Sequence, residues 1–532
     1  MAKIYHSPVS YGINTDHAPM ALRKDLLDHL RFLKEYCGFV FHRCHGVFDD
    51  AIGVASRADG SLSEPVWAMV NGENRPANRP EGERPLRFHF EQAHKMYANI
   101  IELGYIPLVE ISFMPGVLAA DPAKTGCDYR ACMSQPSSYE EWGRLVGAFA
   151  ESLVRRFGID EVSRWRFAVW NEPNGGFWFP GEDRFFGYMK LYEAAARAIK
   201  SVSHRLQVGG PSTMIAGWAQ PESVLGEGSA LGRGGPCEGE GWIETFIVRC
   251  QVGNIPLDFI ETHLYTHDEY EILFEKTRQM YGPFDFFPKT IHKINGAVSR
   301  MAPGMDVVWG EWSSNHRVGK KGLPFWDKSL SSGTFQGNLQ YDSPFAGAFT
   351  AKIAGTFLDG QKMCWWTGTD VYHEWGLKHE PYHCGYGLLN IHGIPKPSAH
   401  AHHFAHRLDG GTILKQFARD GEGFLSVRKD GKNLLMFWNF AHPELPETKY
   451  TLDLSQVGFK VGKGATISLV DAKHANGKAV WESLGSPAEL DPAAERKIRK
   501  GATVVERPLP PTAIAQQKIV LEPNAFGVIV SR

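Results

Sequence analysis

Arg166-Phe167-Ala168-Val169-Trp170-Asn171-Glu172-Pro173-Asn174 is the stretch on which the fold turns. A short apolar run gives out abruptly into a polar Asn-Glu-Pro turn, so a carboxylate stands where a strand ends. Val307-Val308-Trp309-Gly310-Glu311-Trp312 repeats the arrangement further along. In a parallel barrel, residues at strand ends project into the mouth where the chemistry of that fold sits. Two glutamates so placed are what retaining glycoside hydrolysis requires: one protonates the leaving oxygen and the other attacks the anomeric carbon.

Outward from these two sites, strand-like runs alternate with helix-like ones, the pattern of a parallel α/β sheet. Strands are predicted at Tyr11–Asn14, Phe39–Arg43, Ile106–Ser112, Arg166–Trp170, Gln207–Gly210, Leu257–His263, Asp306–Glu311 and Met363–Trp366. Helices are predicted over Arg23–Tyr36, Phe90–Leu103, Tyr139–Phe157, Arg184–Ser203 and Trp242–Val252, with others before and after the last strand. That is eight strands in residues 1–410, the count of a (β/α)₈ TIM barrel. The stretch 55–85, rich in Gly, Asn, Pro and charge, reads as a hairpin or loop insertion on the active-site side.

Past Gly410-Gly411 short alternating runs, among them Phe424–Arg428, Leu434–Trp438, Thr466–Val470 and Lys518–Leu521, are separated by Gly, Asp and Pro turns. Residues 411–532 therefore read as an accessory all-β, sandwich-like domain, with N-terminal residues available to complete it.

The 532 residues exceed one ordinary core, so more than one domain is expected. A charged fraction of 22% and a net charge of −2, with Lys and Arg scattered, leave no footprint for nucleic acid or anionic lipid. No apolar run is long enough to span a bilayer, and Met1–His6 carries no apolar signal core. The eight cysteines form no Cys-x-x-Cys pair and read as buried thiols of a reducing cytosol, which makes a cytoplasmic location the expectation. Fifteen Trp agree with a carbohydrate enzyme, since sugar C–H faces stack on indole, but large cores use Trp as well.

The chain resembles glycoside hydrolase family 39, known chiefly as β-xylosidases and α-L-iduronidases, in the retaining clan A. Beside the two glutamate motifs, the resemblance rests on Arg43-Cys44-His45-Gly46, Leu103-Gly104-Tyr105-Ile106-Pro107, Glu110-Ile111-Ser112-Phe113-Met114-Pro115 and Val208-Gly209-Gly210-Pro211. It continues through Asp258-Phe259-Ile260-Glu261-Thr262-His263-Leu264-Tyr265, Trp365-Trp366-Thr367, Gly385-Tyr386-Gly387-Leu388-Leu389-Asn390 and Lys396-Pro397.

The resemblance implies roles. Glu172 matches the general acid/base, with Asn171 beside it set to hydrogen-bond a sugar hydroxyl, and Glu311 matches the nucleophile. Tyr265 resembles a hydrogen-bond donor to that nucleophile, and His263 a residue that orients sugar or acid. His45 matches a contact to the non-reducing sugar; Arg43 supports the site by pairing with a glutamate. Trp178, Trp312 and Trp366 are candidate walls of the sugar pocket. After the eighth strand, β-xylosidases of the family resemble Thr369–Glu374 but carry two adjacent glutamates, where this chain has His373 and Glu374. Glu374 is the expected sugar ligand, and His373 leaves the glycone open.

The favoured reading is an exo-glycosidase that removes single β-D-xylose units from short oligosaccharides. The same mechanism on another glycone (an α-L-iduronide, an arabinoside or an exopolysaccharide unit) is the alternative, and a non-catalytic carbohydrate-binding barrel is the second. No cofactor is expected. There is no His-Glu-x-x-His, no phosphate loop and no sequence-local carboxylate cage for a metal, and Gly226–Gly241 reads as a loop.

Overall fold

The computed structural model describes residues 3–57, 67–70, 73–76, 86–175, 177, 184–217, 241–266, 281–314, 341–374, 377–442 and 445–531. Eight parallel strands close into a barrel: β1 (Gly12–Thr15), β2 (Phe41–Cys44), β3 (Ile106–Ile111), β4 (Arg166–Val169), β5 (Gln207–Thr213), β6 (Phe259–Tyr265), β7 (Asp306–Ser313) and β8 (Lys362–Trp365). Each pairs with its sequence neighbours, and β1 pairs with β8 to complete the ring.

Between and after the strands run α1 (Lys24–Cys37), α2 (Glu91–Glu102), α3 (Tyr139–Phe157), α4 (Arg184–Val202), α5 (Trp242–Val252), α6 (Phe286–Met301), α7 (Pro344–Thr356) and α8 (Pro397–Leu408). Their sequences explain where they lie. In α1 the buried residues Leu26, Leu30, Leu33 and Cys37 recur three or four apart, and Gly38 ends the helix at φ 71, a left-handed turn that other residues adopt at a cost. In α3 Ser138 caps the Glu141 amide, with Glu140 and Glu141 in the first turn and Arg155 and Arg156 in the last, each matched to the helix dipole.

The lower barrel interior is plugged by Leu108, Ala168, Phe259, Val308 and Cys364, with Tyr11 and Phe41 against them. Above this apolar layer the inward side chains turn polar, so the barrel is solid below and chemical above.

The insertion after β2 shows two short antiparallel ladders among its described residues, Ala55–Ser56 with Arg87–Phe88 and Trp67–Val70 with Glu73–Pro76. Residues 226–240 of the Gly-rich stretch, and Trp178, lie outside the described residues.

Beyond α8 the chain forms a six-stranded antiparallel sheet and a separate two-stranded one. Its strands are β9 (Thr412–Arg419), β10 (Glu422–Lys429), β11 (Lys432–Asn439), β12 (Tyr450–Asp453), β13 (Thr466–Val470), β14 (Glu506–Pro508), β15 (Lys518–Leu521) and β16 (Phe526–Ser531), the pair being β12 and β15. Alternation sorts the two faces. Leu434, Met436 and Trp438 of β11 join the core shared with the barrel helices, while Leu435 and Phe437 face a second core with Leu452 and Leu521. Residue Tyr5 exchanges backbone hydrogen bonds with Gly410 and Gly411, and Ile413 N–H donates to Lys3, which ties the N-terminal residues to the start of β9.

The C-terminal region is not purely β. Helices α9 (Gly477–Ser483) and α10 (Pro492–Ala502) intervene between β13 and β14, with α11 (Pro511–Gln516) following. The period-two runs signalled the strands; the helical segments were not read from the sequence. Ile498 and Ala502 of α10 pack on Tyr382 and Ile394, in the segment that follows the eighth strand.

Candidate active site

Strand alternation sends Glu261, His263 and Tyr265, two apart on β6, to the barrel interior. It does the same for Arg43 and His45 at the end of β2. On β7 a register irregularity breaks the alternation. His263 pairs with Glu311 where Thr262 had paired with Trp309, so Gly310 is stepped over. The bulge turns Glu311 inward. Gly310 cannot carry a side chain there, since an added Cβ would lie 2.1 Å from Glu261 Oε1.

The two glutamates meet through His263. Its Nδ1 lies 2.9 Å from Glu172 Oε1 and 3.7 Å from Glu311 Oε2. Glu311 is held on both oxygens: Arg43 Nη1 donates to Oε1 at 2.7 Å and the Tyr265 hydroxyl donates to Oε2 at 2.6 Å. Arg43, fully buried, continues to Asn14 Oδ1 and Asn171 Oδ1 at 3.2 and 2.8 Å and to Glu110 Oε2 at 2.7 Å. Its Nε is 3.2 Å from Glu261 Oε1, an ion pair without hydrogen-bond alignment. Glu172 sits at φ 45 in the turn after β4, where its N–H donates to Ser212 O at 2.7 Å.

These contacts push the two carboxyls apart. Burial alone would raise Glu311, but His263, Arg43 and the Tyr265 hydroxyl together bring it below the usual carboxylate range. Glu172 goes the other way: burial raises it, the nearby Glu311 adds to that, and His263 opposes without winning. His263 itself is raised, because the two carboxylates outweigh its desolvation. The two proton affinities are driven apart, Glu172 towards holding a proton and Glu311 towards keeping its charge, the direction an acid and a nucleophile need.

Asn171 offers its oxygen to Arg43, which fixes the side chain beside Glu172. His45 Nδ1 lies 2.9 Å from Glu110 Oε2, and Trp366 meets the His45 ring edge-on at 5.2 Å between centroids. Glu374 is buried, and its carbonyl accepts from Asp128 N–H. Its charge bears on Cys127, Tyr129 and Tyr386. His373 stacks on Tyr386 at 4.8 Å, and burial keeps it neutral by lowering it to about 3. Trp312 is a correction. The bulge that brings Glu311 in sends Trp312 out, where it packs on Trp365, Phe287 and His402 between barrel and helices.

Residues not singled out as site members complete the arrangement. Glu110, Glu261 and Asn14 all contact Arg43. The signal was available for the first two, since each carboxylate lies within an otherwise apolar strand, which asks for a buried partner. Behind the loop after β8, Lys396 Nζ bridges Asp342 and Asp370 at 2.6 and 2.5 Å, fully buried. Among the described residues Glu172, His263 and Glu311 bring ligand-type atoms within 4.8 Å of one another, a spacing compatible with an ion as well as with proton exchange.

The model of glycosyl hydrolases family 39 matches residues 5–281 and 315–513, and β7 with Glu311 falls between the two matched stretches. A β-xylosidase of Caldicellulosiruptor saccharolyticus is 30% identical over 487 residues, 90% of this chain and 85% of that protein. A β-xylosidase of Geobacillus stearothermophilus is 27% identical over 489 residues, covering 90% and 82%. In fold, a family 39 β-xylosidase of Caulobacter crescentus superposes with a TM-score of 0.69 at 20% identity, covering 100% of this chain and 97% of that one.

Proposed function

The chain belongs to glycosyl hydrolases family 39, a retaining glycoside hydrolase with a (β/α)₈ barrel, and we propose from that premise that it releases single β-D-xylose units from the non-reducing end of short oligosaccharides. The two β-xylosidase relatives, each aligned over 90% of the chain, support xylose as the glycone. Similarity to human α-L-iduronidase extends over only 71 residues, 13% of the chain.

One observation carries the assignment of roles: two carboxyls share His263, yet their environments drive their proton affinities in opposite directions. Glu311, ionised and held by Arg43 and Tyr265, attacks the anomeric carbon while Glu172 gives its proton to the leaving oxygen. A water then enters, and Glu172, now charged, takes its proton as the sugar leaves Glu311 with configuration retained. Oxygens of the two groups within 4.8 Å of each other fit the close carboxyl spacing of about 5–5.5 Å that retaining enzymes use.

His45, Asn171, His263, Glu374 and Trp366 are the sugar contacts of this reading. The barrel of residues 1–410 is the catalytic unit, and residues 411–532 the accessory one. Seven free cysteines among the described residues, five of them buried, support a reducing cytoplasm as the place of action on imported oligosaccharides.

A panel of nitrophenyl glycosides tests the glycone: the β-xyloside should turn over fastest and the α-iduronide not at all. Glu311→Ala should abolish turnover on every substrate. Glu172→Ala should spare the first step with a good leaving group and gain activity on added azide, yielding a glycosyl azide of retained configuration. Equal loss in both variants, with no azide rescue, would mean the roles are wrong.

A further inference from the structure

Glu110 has no role in the bond-breaking steps, yet it is completely buried at the barrel mouth. Three hydrogen-bond donors and the Arg43 cation converge on its carboxylate. Arg43 Nη2 and His45 Nδ1 reach Oε2 at 2.7 and 2.9 Å, while the Gly46 N–H reaches Oε1 at 3.1 Å and the Ser112 hydroxyl donates to the same oxygen. A carboxylate surrounded only by donors stays charged, and its charge is what requires a proton on His45 Nδ1. The other ring nitrogen, Nε2, is buried and has no hydrogen-bond partner among the described residues. Phe113 at 5.0 Å, Trp366 at 5.2 Å and Phe177 at 6.0 Å stand edge-on to the ring and limit its rotation.

We infer that Glu110 is a positioning residue: it locks the His45 imidazole in the Nδ1–H tautomer, so that Nε2 presents a lone pair that accepts a hydrogen bond from a hydroxyl of the terminal sugar. The inference rests on the reading of His45 as a sugar contact. An imidazole in the other tautomer would present an N–H instead, so the hydroxyl would have to accept from it and its own proton would need another partner. Arg43 shares the same Glu110 oxygen, so the carboxylate that sets His45 also braces the guanidinium that holds Glu311. Sugar recognition and nucleophile orientation thereby hang on one buried anion.

The tautomer is read directly from the wild-type enzyme by nitrogen-15 NMR of labelled histidines, with the His45 signals identified by their loss in His45→Asn. The expected result is a neutral ring protonated at Nδ1; a ring protonated at Nε2, alone or together with Nδ1, would overturn the inference without any variant at Glu110. In parallel, kcat and KM on a nitrophenyl β-xyloside are measured for Glu110→Gln, His45→Ala and the double variant. Glu110→Gln should raise KM about tenfold, the effect of one lost hydrogen bond to a ligand. It should add little when His45 is already gone. KM effects that multiply would show that Glu110 acts on sugar binding independently of His45 and sink the positioning role, whereas its brace on Arg43 and Glu311 is read in kcat. If His45→Ala leaves KM unchanged, it is the sugar contact that fails, while the tautomer result still decides what Glu110 does to the ring.

Discussion

Replacement of Arg43 by Lys tests the site most severely, because it keeps the charge and removes the geometry. The guanidinium spans its partners with different nitrogens: Nη1 serves Glu311 and Asn14, Nη2 serves Glu110 and Asn171. A lysine ammonium is a single point on a flexible stem and can sit at one end of that span, not both. The losing end forfeits a contact to a charged group, worth about 1.5–3 kcal/mol. If the Nη1 end loses, so that Glu311 and Asn14 both forfeit theirs, about 3–6 kcal/mol of organisation goes, and at roughly 1.4 kcal/mol per factor of ten kcat/KM falls about a hundred- to ten-thousand-fold. A second signature follows from the charge. Arg43 is one of the groups that hold Glu311 below the usual carboxylate range against the burial that raises it. With the cation displaced, the Glu311 carboxyl takes up its proton at higher pH, so the acidic limb of kcat/KM against pH should move upward. The assay is that profile on a nitrophenyl β-xyloside, with circular dichroism to confirm the fold. Arg43→Lys that keeps more than about a third of wild-type activity, with the acidic limb unmoved, would refute the view that Arg43 organises the nucleophile.

Three further outcomes are expected. In the wild type, kcat/KM should rise as Glu311 ionises and fall as Glu172 loses its proton, and Glu172→Gln, measured on an activated leaving group, should lose the basic limb while the acidic limb stays. Trp312→Ala should cost about 3–5 kcal/mol of stability in a denaturant titration, with KM nearly unchanged, because the ring fills the layer between barrel and helices; a large KM effect without loss of stability would put it back in the pocket. Glu374→Ala should lower kcat/KM on a β-xyloside by about tenfold or more, whereas His373→Phe, which keeps the stack on Tyr386, should stay within about threefold; the reverse order would make His373 the sugar ligand.

The residues legible in the sequence are those whose place follows from a strand ending in a carboxylate. Alternating elements gave the barrel, and a polar residue following an apolar strand marked Glu172 and Glu311 before any geometry was known. Trp312 shows where that reasoning stops. Counting by twos from Val308, which plugs the barrel interior, puts Gly310 and Trp312 inside and Glu311 outside. Strict alternation would thus have placed the indole in the pocket and Glu311 among the helices. The extra residue that reverses this leaves one mark in the sequence, the glycine in mid-strand, which signals either a bulge or a close approach. Here it is both, for the space a Cβ would need is filled by Glu261. Glu261 is in turn held by Ser212 Oγ at 2.5 Å and by Arg43, partners contributed by β5 and β2. No local pattern records such a meeting. The parity of a catalytic strand is therefore decided by buried charges from distant strands, and a substitution at Gly310 should disturb Glu311 by way of Glu261 rather than through the backbone alone.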